Sequence, residues 1–225
     1  MRLAASLACC ALALHPAVAP VLAQSTPLSP LRVGVLLQFE DKPSRRFVRD
    51  LSQEMQRIFR PTGLAFHFQS LDDGSQAVYQ RVVLVVMKGR CDPTLLEGSA
   101  ERVMGQRALG TTLLIDGEVA PLSVVDCDAI ARMVANFGFR AFPRIVGWPF
   151  FVRLTGRVLA HELLHVLLRS AAHGISDCTR PRLSTRDLHD QARLEPAEVL
   201  QLRRLGSVPD RPLLLGRQGA GLAVP

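Results

Sequence analysis

From Val158 to Leu168 the chain carries only three polar side chains, His161, Glu162 and His165, and everything around them is Val, Leu or Ala. A helix of this kind has no polar stripe to turn to water, so it has to cross the interior of whatever it folds into. Its three polar side chains then need partners, because burying an unsatisfied polar group costs on the order of a few kcal/mol and an unpaired charge more. At about 3.6 residues per turn, His161 and His165 stack one turn apart on one face, and Glu162 lies about 100° around the helix. One cation held by both imidazoles satisfies the pair, and Glu162 stays within reach of a water on the open side of that cation. The chain has only six histidines in 225 residues, so chance spacing with backbone-bonded imidazoles is the weaker explanation.

The pattern is H-E-x-x-H, the spacing of zinc hydrolases, in which the glutamate is the general base. A catalytic zinc takes three protein ligands and leaves its fourth position to water, so one more ligand has to come from further along the chain. His173 is the nearest candidate. It extends the pattern to H-E-L-L-H-x7-H, with the helix ending near Ser170, Ala171-Ala172 turning the chain back, and Gly174 able to take a positive φ. Asp177, Cys178, Glu195 and Glu198 are the other candidates for the third position. Pro196 reads as a first-turn helix residue, so Glu195 and Glu198 are most simply carboxylates at a helix N-terminus.

With these residues in place, the segment resembles the metzincin clan of zinc metallopeptidases, although Leu168 and Ala171 stand where that clan has its glycine and third histidine. The run Gly156 to Leu168, with Ala172-His173 at the wider spacing, is more similar to a group of exported bacterial proteins regarded as metallopeptidases. In those a methionine-containing turn follows the third histidine, and this chain has Ile175-Ser176-Asp177-Cys178 there instead. The resemblance implies one catalytic Zn²⁺ on His161, His165 and His173, with Glu162 as base and a peptide or protein as substrate. It also implies a twisted sheet ahead of the metal helix, whose edge strand can pair with an extended peptide. Two other readings stay open: a non-catalytic zinc module that closes the fold, and a zinc hydrolase of a non-peptide amide.

The N-terminus predicts export. Met1-Arg2, the apolar run Leu3 to Leu14, then Pro16, Pro20 and Val21-Leu22-Ala23 read as a signal peptide over 1–23, cleaved before Gln24. The apolar run is short of the roughly 20 residues that a membrane span needs. A secreted or periplasmic protein with no stable membrane span in its mature chain is the expectation, organised as one zincin-like domain over 24–205 with a loosely ordered tail over 206–225. The net charge of +7 is spread over scattered arginines with few aromatics between them, which describes a solvated surface rather than a nucleic-acid interface. A monomer is expected. In an oxidising compartment Cys91 and Cys127 should pair because both flank predicted strands, which leaves Cys178 free.

The element order predicts an α/β (α+β) fold: a mixed sheet, a backing helix, a buried H-E-x-x-H helix and a small, mostly helical C-terminal part. Strands are expected at Leu31–Phe39, Leu64–Phe68, Val82–Met87, around Thr111–Ile115, and at Val119–Val125, with Val82–Met87 at the centre. Ser44 to Arg60 reads as an amphipathic helix burying Phe47, Leu51, Met55, Ile58 and Phe59, and Asp128 to Phe137 as another. The aromatic stretch Arg140 to Arg153 reads as a loop whose Trp148 packs on the core. His67 and His189 are expected to be structural or surface residues.

Overall fold

The computed structural model describes residues 30–73, 77–92, 108–136, 144–174, 178–180, 190–206 and 213–214. The leader expected over 1–23, Asp177 and His189 lie outside them. A five-stranded mixed sheet has the order β2-β1-β4-β6-β5, with β1 at Arg32–Phe39, β2 at Ala65–Ser70, β4 at Arg81–Lys88, β5 at Gly110–Ile115 and β6 at Glu118–Asp126. Strands β2, β1, β4 and β6 run parallel, and β5 closes the edge antiparallel to β6. The α/β class and the central place of the Val82–Met87 strand are as the sequence predicts.

The strands are buried in the way parallel strands require. Val33, Val35 and Leu37 on β1 join the core cluster with Val83, Val85 and Met87 on β4, while Leu36 on the alternate face is buried too. Such runs read as continuously apolar because both faces are covered. At Gly34 the second face lies against Tyr79, where an added Cβ would sit 2.5 Å from the ring. The β5–β6 hairpin turns at Asp116 (φ 52) and Gly117 (φ 81). An Asp-Gly pair is suited to that turn because both positions need a left-handed backbone.

Helix α1, Arg45–Phe59, starts where the Ser44 hydroxyl accepts the Phe47 N–H at 3.1 Å, and it buries the five expected apolar residues. Helix α2, Cys127–Asn136, follows β6 directly. Cys127 at its first residue is bonded to Cys91 just beyond β4, with their Cα atoms 5.0 Å apart. The expected disulfide therefore ties the ends of two neighbouring strands together.

Helix α3 runs from Arg144 to Leu168, and from Arg144 onwards it corrects the loop expected over Arg140 to Arg153, of which residues 140–143 lie outside the described set. Trp148, Pro149, Phe150 and Phe151 lie in its first half. Pro149 argued for a loop, since a proline inside a helix costs about 3 kcal/mol. Burial of Trp148 and Phe151 offsets that cost at about 1.5–3 kcal/mol each. Both rings pack on Phe47, at centroid distances of 6.4 and 5.8 Å, and the Trp148 indole donates to Asp50 Oδ2 at 2.9 Å. The aromatic cluster is core packing that clamps α3 onto α1, as the sequence reading of Trp148 expects.

The same two helices hold the segment that leads to the last one. Arg57 on α1 donates to the Ala192 carbonyl at 3.1 Å, and the fully buried Arg157 on α3 donates to the Asp190 carbonyl at 3.1 Å. Helix α4, Pro196–Leu205, begins at the expected proline. Two short strands were not anticipated: β3, Val78–Tyr79, pairs antiparallel with β7, Leu213–Leu214. The tail expected to be loosely ordered over 206–225 thus returns a strand to the body, and its other residues beyond Gly206 lie outside the described set. Among the described residues no helix is long and apolar enough to cross a membrane.

Candidate metal centre

The last three turns of α3 set the first two imidazoles. His161 and His165 stand one turn apart with ring centroids 4.6 Å from each other. The chain must then reverse at once. It does so by a Schellman turn: the Arg169 N–H returns to the Val166 carbonyl at 3.3 Å and the Ser170 N–H to the His165 carbonyl at 3.0 Å. The left-handed residue in this turn is Arg169, at φ 49, in a position that glycine usually fills. The backbone freedom expected at Gly174 is taken up at Arg169 instead.

The reversal carries His173 back over the helix. Its ring centroid lies 5.1 Å from that of His161 and 5.0 Å from that of His165. One ligand atom from each of the three histidines lies within 4.8 Å of the others, so the three are close enough to bind one metal ion. His165 is buried, His161 half-buried and His173 exposed. The group is thus anchored on the helix and open on the side of His173.

Backbone carbonyls decide the tautomers. His161 Nδ1 is 2.7 Å from the Cys178 carbonyl oxygen, and His165 Nδ1 is 2.6 Å from the Ser170 carbonyl oxygen. A carbonyl can only accept, so both Nδ1 atoms carry the proton, and in the neutral rings that a metal requires both Nε2 atoms present a lone pair. Those two Nε2 atoms face each other at 3.0 Å. Neither can donate to the other, and a cation shared between them turns this repulsion into coordination. A second ring N–H bonded to a carbonyl is also the usual orienting partner of a metal-ligating histidine.

Burial pushes the His161 pKa down to about 4. The Cys178 carbonyl works against this shift, and the charges of His165 and His173 add to it. A neutral imidazole at ordinary pH is what a metal requires. The same shift sets a pH dependence. Because the folded value lies below the ordinary value of 6.5, the unfolded chain binds the extra proton, and metal-free protein loses stability as pH falls from about 6.5 towards about 4. Thermal melts of chelator-treated protein should give a lower Tm at about pH 5 than at about pH 7.5, with a smaller difference in His161→Gln.

Glu162 is received by the edge hairpin. Its Oε2 accepts the Thr112 hydroxyl at 2.6 Å, and Thr112 Oγ1 lies 3.0 Å from Ser123 Oγ. Thr112 has one hydroxyl proton, and while that goes to Glu162 the buried Ser123 is the donor to Thr112. Gly110 makes room for the other carboxylate oxygen: a Cβ there would stand 2.6 Å from Glu162 Oε1. Burial raises the Glu162 pKa, opposed by the Thr112 hydrogen bond and the charge of His173. Gly110, Thr112 and Ser123 were not anticipated, because nothing in a strand's own pattern names a partner 50 residues away.

The other ligand candidates fall elsewhere. Cys178 is buried and outside the disulfide, and its backbone carbonyl, described above, holds His161. Glu198 accepts the Glu195 N–H at 2.8 Å as part of a capping box on α4. Asp177 lies outside the described residues. Among the described residues the cluster close enough to bind a metal ion consists of His161, His165 and His173.

No family model, curated protein or solved structure matches the chain. The site has to be read from its own chemistry. Tyr79, the one tyrosine, is buried with its hydroxyl 3.1 Å from Gln69 Oε1, remote in role from the metal centre.

Proposed function

We propose that the protein is an exported zinc-dependent peptidase of the H-E-x-x-H type, with His161, His165 and His173 as the zinc ligands and Glu162 as the general base. The observation that carries this reading is the pair of Nε2 lone pairs facing each other at 3.0 Å, each with its Nδ1–H fixed on a backbone carbonyl. Bound there, zinc would supply Lewis-acid activation of a water and of the scissile carbonyl. Glu162 takes the proton from the attacking water and hands it to the leaving amine. A raised pKa suits that double duty, because the same carboxyl must first accept a proton and then donate it. Thr112 fixes one oxygen of that carboxylate by its hydrogen bond.

The edge strand supports a peptide as substrate. β5 carries the residue that binds Glu162 and, among the described residues, has a neighbour on one side only. An extended peptide can add to its free edge by main-chain hydrogen bonds and lie across the metal. Three histidines without a fourth protein ligand among the described residues favour an open catalytic position over a closed structural site. Export is supported by the leader pattern and by the Cys91–Cys127 disulfide.

The test pairs zinc content of the chain from Gln24 onwards with cleavage of a quenched peptide library. One zinc per chain with chelator-sensitive cleavage is expected, and a zinc-replete preparation that binds none would sink the reading. Gly110→Ala is expected to leave zinc content unchanged and lower kcat by about 10–100-fold, since a Cβ displaces the Glu162 carboxylate and a shift of about 1 Å can cost about 100-fold.

A further inference from the structure

A cavity of about 1120 Å³ opens beside the metal centre, with His165 and His173 in its wall. Its floor is apolar, from Val83 on β4 and Leu164 and Leu167 on α3, all buried. Its polar side is basic. Arg81 at the start of β4, Arg169 in the turn that ends α3, and Arg204 on α4 all line it. Three elements that are far apart in sequence thus bring guanidinium groups to one space.

Two carboxylates share the cavity, and they do not balance this charge. Glu198 accepts the backbone N–H of Glu195 at 2.8 Å, and Glu118 sits exposed at the hairpin end. Neither Arg169 nor Arg204 forms an ion pair among the described residues. Burial, and then the like charge of Arg169, hold the Arg81 guanidinium below its ordinary range, which means that Arg81 and Arg169 feel each other. Arg169 is also kept in a left-handed backbone, which a non-glycine residue adopts only at a steric cost. A glycine would make the same turn without that cost but would bring no charge to the cavity.

We propose that this cavity is a substrate subsite that takes a carboxylate of the peptide, bound by Arg169 and Arg204 with Arg81 behind them, beside an apolar side chain on the Val83–Leu164–Leu167 floor. The proposal rests on the peptidase reading for its substrate class. The carboxylate can be the free C-terminus of a short peptide or the side chain of an aspartate or glutamate. Guanidinium groups recognise either through charge-assisted, paired hydrogen bonds. The position beside His165 and His173 places the bound carboxylate next to the scissile bond, so these arginines are specificity determinants rather than catalytic residues.

The experiment is calorimetric titration of the mature chain in a Glu162→Gln background, zinc-loaded and after chelation, with three acetylated dipeptides. These are acetyl-Ala-Leu as free acid, acetyl-Ala-Leu-amide, and acetyl-Glu-Leu-amide. At least one carboxylate-bearing peptide should bind about tenfold or more tightly than the carboxylate-free amide, with and without metal, and Arg169→Gln and Arg204→Gln should each remove most of that preference. Preference for the free acid alone assigns the subsite to a C-terminus, and preference for the glutamyl amide alone assigns it to an acidic side chain. Equal binding of all three peptides overturns the proposal. So does a preference that survives both arginine variants or vanishes on chelation, since it then belongs to the metal. A library cleavage assay on the Glu162-containing chain is read separately. Carboxylate preference without any cleavage overturns the peptidase reading and keeps the subsite, whereas cleavage without the preference does the reverse.

Discussion

Replacing His161, His165 or His173 by alanine will weaken zinc binding at least about 100-fold in each case. Loss of a partner that merely orients a ligand costs about 10–100-fold in metal affinity, and loss of the ligand itself removes a coordinate bond as well. The three variants should not be equal in their effect on the fold. His161 and His165 each hold a carbonyl, of Cys178 and Ser170, at 2.7 and 2.6 Å, so their removal also loosens the segments that follow α3. His173 is exposed and bonds no carbonyl among the hydrogen bonds described above. His173→Ala is therefore the clean variant, with the melting temperature of the metal-free chain unchanged and metal lost. The measurement is metal content by mass spectrometry after dialysis against a chelator of graded strength. Zinc retained at one per chain in His173→Ala would transfer the third ligand to Asp177, Cys178, Glu195 or Glu198.

How much of this was legible in the sequence follows the range of the forces involved. The five sheet strands and α1 were readable because their patterns are local: alternation or continuous burial in the strands, and an apolar stripe at helical spacing in Phe47, Leu51, Met55, Ile58 and Phe59. The helical spacing of His161 and His165 was readable for the same reason, and Asp116-Gly117 announced its own turn. The first half of α3 was not. A proline beside aromatics is a local signal for a loop, and the contacts of Trp148 and Phe151 with Phe47 that override it join residues about a hundred positions apart in sequence. β3 and β7 were missed because two-residue strands have no period to read. The close approach of β5 to α3 is long-range in the same sense, so Thr112 and Gly110 looked like ordinary strand residues until the fold placed them on Glu162. Arg169 looked like the end of a helix, and its left-handed backbone and place in the cavity exist only in three dimensions.

Glu162→Gln will separate the metal from the chemistry. Glutamine keeps the size and shape of the side chain, and its amide oxygen can still accept the Thr112 hydroxyl that now lies 2.6 Å from Oε2. Helix α3 keeps its packing, and neither imidazole loses its carbonyl partner. What the variant loses is the ability to take a proton from water, a step whose catalyst is worth about 100- to 10,000-fold in rate. Zinc content and melting temperature should stay near those of the parent while kcat falls by that factor and KM changes little, since Glu162 acts on the water rather than on the bound peptide. Burial raises the Glu162 pKa, and replacing a costly buried carboxylate by a neutral amide should, if anything, stabilise the metal-free chain. A variant that loses zinc or unfolds would mean that Glu162 holds the centre together as a ligand or structural anchor, which is the behaviour of a closed metal module. A variant that keeps its zinc and still cleaves peptides at the parent rate would take the proton transfer away from Glu162 and leave the three histidines without their base.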